Sequence, residues 1–116
     1  MGELREKSYA FSIRIVKLNR YLNTDKKEFV LSKQVLRSGT SIGAMVRESE
    51  FGQSKADFIN KLSVGLKEAN ETEYWLSLLK DTDFIDLKMY ERLKTDIDTL
   101  IKMLVASIKT AKNNVK

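Results

Sequence analysis

Apolar residues recur along this chain at spacings of three and four, and polar breaks divide the recurrence into four stretches. Phe11, Ile15, Leu18 and Leu22 mark the first stripe and predict a helix over 4–22. The polar run NTDKKE ends it, and so short a link favours an antiparallel neighbour. A second helix is predicted from about Glu28 to Phe51, capped by Thr24 or Asp25 and stopped by Gly52. Ser54 followed by Asp57 has the form of a capping box and opens a third helix, Ser54 to about Lys80. Its seam is Phe58, Leu62, Gly65, Ala69, Thr72, Leu76 and Leu79. In DTDFIDLK, Asp83 or Asp86 caps a fourth helix, whose stripe runs from Tyr90 and Leu93 to Ile108 and Ala111. Lys112, Asn113, Asn114 and Lys116 are expected to fray. These features predict an all-α, antiparallel up-down-up-down four-helix bundle, with residues 1–116 as one domain.

The second helix carries an unusual centre. Leu31, Val35, Ser38, Ile42 and Val46 share one side, yet Gly39 and Gly43 lie among them. Each glycine costs a helix about 1 kcal/mol against alanine, so a close backbone approach should compensate. Gly65 and Ala69 of the third helix are placed to face these glycines. The competing reading makes SGTSIG a phosphate-cradling loop, but it matches neither common phosphate-binding glycine motif and follows no strand-like run. Packing is the preferred reading.

Composition removes most chemistry. The chain has no Cys and no His, which excludes disulfides, thiol nucleophiles, imidazole acid-base catalysis and nearly every transition-metal site. Absence of Pro permits long helices. No run approaches the length needed to span a bilayer, and MGELREKS lacks the apolar core of a secretory signal, so a cytoplasmic protein without membrane association is expected.

The net charge of +5 favours polyanionic partners. Lys7, Arg14 and Lys17 on the first helix and Lys33, Arg37 and Arg47 on the second are the candidate phosphate contacts. Aromatic residues are not interleaved with these cations, so base stacking is not expected. On the third helix Val64, Tyr74, Trp75 and Leu78 lie off the seam and are candidates for a subunit interface, although Trp75 could instead close one end of the core.

Carboxylates need a separate test. Glu68, Glu71 and Glu73 crowd the third helix, and a magnesium site made of carboxylates alone is conceivable. Helical nucleotide pyrophosphohydrolases pair Glu-x-x-Glu with a downstream Glu-x-x-Asp, but here Glu91 is followed three residues later by Lys94. No metal, cofactor or catalytic residue is therefore expected, and Glu73 should find an Arg or Lys on a neighbouring helix.

The run LRSGTSIGAMVRESEFGQSKADFINKLSVGLKEANETEYWLSLL closely resembles the four helix bundle proteins, also called 23S rRNA intervening-sequence proteins. Their pattern is RSGTSIGANxxEA, then KADFxxKLxxALKEAxETxYWLxLL, after a helix of the form FxxRIVKLxxYL. Arg37 to Ala44, Lys55 to Phe58 and Lys67 to Leu76 fit it, while Met45 replaces the usual Asn and Ser49 a common Ala. The resemblance implies a homopentameric bundle related to the accessory protein of diversity-generating retroelements, which associates with a reverse transcriptase and nucleic acid. It supplies no catalytic residue. The expectation is a non-enzymatic oligomer binding RNA or DNA through a composite basic surface, with a protein-protein adaptor as the alternative.

Overall fold

Each of the four helices buries the stripe that its periodicity marks. The computed structural model describes residues 2–114, in which α1 is Gly2–Thr24, α2 Leu31–Ser49, α3 Lys55–Asp81 and α4 Leu87–Asn113. Cross-helix pairs fix their directions. Arg5 meets Glu50 and Asn19 meets Ser32, so α2 runs back along α1. Glu48 meets Lys61 and Ser38 meets Thr72 across α2 and α3, and Glu73 meets Lys94 and Ser77 meets Tyr90 across α3 and α4. Each helix is thus antiparallel to the next, in a rod of 51 × 21 × 19 Å. The helices pack as a ring, α1 on α2, α2 on α3 and α3 on α4, with α1 and α4 touching least. One cluster of buried side chains, including Phe11, Ile42, Leu76 and Leu100, draws on all four.

Three helix ends show why the chain turns where it does. At α3 the Ser54 hydroxyl accepts from the Asp57 amide at 3.0 Å, and the Asp57 carboxylate reaches the Gln53 amide at 3.3 Å. At α4 Asp86 is the cap, accepting from Met89 N at 2.8 Å. Asp83 instead closes α3. It takes the left-handed conformation (φ 66°), while the Phe84 and Asp83 amides donate to the Leu79 and Lys80 carbonyls at 2.9 and 3.1 Å. This is a Schellman closure with aspartate where glycine is usual.

Several expectations need correction. The second helix starts at Leu31 rather than Glu28, and neither Thr24 nor Asp25 caps it: Thr24 still belongs to α1. Glu28 reaches forward instead, its carboxylate accepting from the Leu31 and Ser32 amides at 2.9 and 2.7 Å. A negative group over the first turn also complements the helix dipole. Lys112 and Asn113 remain helical and Asn114 caps α4, while Lys116 lies outside the described residues.

SGTSIG is helical throughout, so the phosphate-loop alternative falls. The α2 glycines face α1, not α3. A methyl at Gly39 would meet Ile15, and one at Gly43 would lie 3.2 Å from the Ser8 carbonyl oxygen. Gly65 instead faces Met45 and Leu104. Small residues therefore relieve two seams independently, rather than meeting at one.

Candidate nucleic-acid interface

The six predicted cations are all exposed, but the bundle distributes them over several faces. Lys7, Arg14 and Lys17 repeat at seven and three residues on α1, which sets them on the flank beside α4. Arg14 donates to Asp96 of α4 at 2.7 Å. Arg47 lies on the α1–α2 side, its guanidinium 5.8 Å from the centre of the Tyr9 ring. This is a weak cation–π geometry at an exposed site. Lys33 is exposed near the start of α2.

Arg37 crosses to α3, where it holds Glu68 at 3.3 Å and also Glu71. Two carboxylates on one guanidinium leave that spot without excess positive charge. Among the described residues, Lys7, Lys17, Lys33 and Arg47 take part in no ion pair. The α1–α4 flank gains a cation that sequence reasoning passed over, Arg92, which shares a cleft with Arg14, Lys17 and Tyr21. The signal was available in part. Tyr21 follows Lys17 by four residues, one helical turn, so an aromatic ring does sit among these cations.

The three crowded glutamates of α3, Glu68, Glu71 and Glu73, are occupied by cations. Partial burial alone would raise the Glu71 pKa, but the Trp75 indole N–H at 3.3 Å and the Arg37 guanidinium outweigh it and hold the pKa below its ordinary 4.5. Glu73 finds Lys94 of α4 at 2.6 Å, and Asp98 takes the same ammonium at 2.7 Å, so the Lys94 pKa is raised.

A depressed carboxylate pKa stabilises the fold above the unfolded-state value and loses that contribution as pH falls through the folded one. Thermal stability is therefore expected to decline on acidification below about pH 4.5, and Arg37→Ala should flatten part of that decline. At pH 7 the same variant should lose less than about 1 kcal/mol, since the pair is exposed. Melting curves at pH 3, 4, 5 and 7 check both.

The interface candidates occupy the outer side of α3. Tyr74 and Val64 are exposed and Leu78 is half-buried. Trp75 is also half-buried, packing against the core and edge-on to Tyr74 with ring centres 5.0 Å apart.

Structure and charge thus define an antiparallel four-helix bundle in which Glu68, Glu71 and Glu73 of α3 are held in cross-helix ion pairs, while cations outside any ion pair among the described residues are spread over all four helices. The chain belongs to the 23S rRNA-intervening sequence protein family, whose pattern matches residues 3–106. It is also similar to a solved structure from Bacteroides thetaiotaomicron VPI-5482, a protein with unknown function from the S23 ribosomal protein family. The two are 54% identical with a TM-score of 0.92, over 93% of this chain and 96% of that one. No curated protein matches the chain.

Proposed function

We propose that this chain is a non-enzymatic, homo-oligomeric bundle protein, a pentamer, that binds RNA or DNA backbones through a basic surface composed from several copies. The observation that carries this reading is that four of the six candidate cations, Lys7, Lys17, Lys33 and Arg47, are exposed and without carboxylate partners among the described residues, on a chain of net charge +5. One copy offers too few of them on any single face for tight binding, so assembly is part of the proposal. Exposed Val64 and Tyr74 on α3 are the proposed subunit contacts. A cytoplasmic location accords with this role, and among the described residues no helix is long and apolar enough to cross a membrane.

A second reading makes the protein an adaptor for another protein, such as a reverse transcriptase. Tyr9, Ile13 and Val16 favour it, because they repeat at one helical spacing on α1 and are exposed. Binding of nonspecific RNA as a function of salt separates the two. The nucleic-acid reading expects binding at low salt and a steep linear fall of log affinity with log salt, by about 0.7 per phosphate contact. No binding at low salt would overturn it in favour of the adaptor, and a monomeric mass by light scattering would overturn the composite surface.

A further inference from the structure

We infer that the cleft between α1 and α4 receives the unpaired base of a single-stranded nucleic acid, an inference that rests on the nucleic-acid reading and assigns it a site. α1 and α4 form the least tightly packed seam of the bundle, and a cleft of about 260 Å³ opens along it. Its rim carries Arg14, Lys17 and Arg92. Arg14 is shared with Asp96, whereas Lys17 and Arg92 take part in no ion pair among the described residues. Beneath them the lining is apolar, with Leu18 and Leu93 nearly covered and Tyr21 and Met89 half-buried.

A cationic rim over an apolar, aromatic floor fits a ligand that is anionic at one edge and flat and apolar at the other. A nucleotide has that form. Its phosphates are matched by Lys17 and Arg92, and its base can lie against Tyr21, because every base offers a π-face whatever the sequence. Leu18, Tyr21, Met89 and Leu93 are all less exposed than the three cations, so a base splayed out of its stack is expected to reach them more readily than one held in a duplex. An acidic peptide would satisfy the rim and leave the tyrosine uncovered. The commitment is therefore to single strands, with preference for unpaired over paired nucleic acid.

The test measures fluorescence anisotropy of a labelled uridine homopolymer, about 16 nucleotides long, beside a duplex of equal length. Tyr21→Leu keeps an apolar side chain at the seam, and its melting curve controls for folding. The expected result is about a tenfold loss of single-strand affinity in Tyr21→Leu with duplex affinity unchanged. Lys17→Ala with Arg92→Ala should weaken both ligands and lower the single-strand salt slope by about 0.7 per lost phosphate contact, while Lys33→Ala, outside the cleft, should weaken both ligands alike. Equal binding of single strand and duplex, with Tyr21→Leu altering neither, would overturn this site while leaving nucleic-acid binding standing. Displacement of the homopolymer by polyglutamate, with no effect of Tyr21→Leu, would overturn it in favour of an acidic peptide. Absence of any binding at low salt would remove both this inference and the reading beneath it.

Discussion

Gly39→Leu is expected to destabilise the bundle by about 3 kcal/mol, because the space a side chain would need is already filled. Even a methyl at this position would lie 2.8 and 2.9 Å from Cγ1 and Cγ2 of Ile15. Those atoms are bonded directly to a branched β-carbon, and Ile15 is fully buried, so it has no open rotamer to move into. The helix-propensity gain over glycine, about 1 kcal/mol at most, is too small to offset the overlap. Ile15→Ala should cost about 2–5 kcal/mol alone, yet combined with Gly39→Leu it should cost at least about 1 kcal/mol less than the two separate losses together. Urea titrations followed by helical circular dichroism measure all three variants. A Gly39→Leu protein with the wild-type midpoint would mean that α1 and α2 do not approach as described.

Thr72→Val is expected to cost about 1–3 kcal/mol although the two side chains have nearly the same shape. The Thr72 and Ser38 hydroxyls lie 2.9 Å apart between α2 and α3, and both residues are wholly buried. Thr72 Oγ1 is also 2.8 Å from the Glu68 carbonyl oxygen. With one hydrogen on each hydroxyl, the arrangement that uses both bonds has Thr72 donating to Glu68 and accepting from Ser38. Valine removes that acceptor and leaves the Ser38 hydroxyl to find another partner inside the core. Removing the second hydroxyl as well should therefore cost little more, so Ser38→Ala with Thr72→Val is expected to be far from additive. Strictly additive midpoint shifts would show that the two hydroxyls do not depend on each other.

The stripes were legible because burial follows the helical period. Phe11, Ile15, Leu18 and Leu22 on α1, and the Leu62-to-Leu79 seam on α3, point inward as their spacing requires. Helix ends were legible where the cap is local, as at Ser54 and Asp86. The start of α2 was not, because Glu28 caps it by folding its side chain forward over the link, a contact that no Ser, Thr, Asn or Asp pattern encodes. Periodicity also shows that Gly39 and Gly43 need close company without showing whose. The neighbour depends on how the rods are arranged, and here it is α1.

The same limit governs the cations. Exposure of Lys7, Arg37 and Arg47 followed from their place on the helical wheel, whereas neutralisation of Arg37 by Glu68 and Glu71 depends on the register between α2 and α3. Arg92 was overlooked because it joins Lys17 and Tyr21 only across the seam, a neighbourhood that no spacing along α4 encodes.

That seam joins the first and last helices of the chain. Arg14 with Asp96 is the one ion pair across it among the described residues, and fewer side chains interlock there than along the other three seams. Breathing of the native molecule should then begin as a hinge-like parting of these two end rods, while the α2–α3 hairpin stays closed. A guest that wedges between them would work with this intrinsic looseness rather than against it, since entry asks little of the firmly latched half.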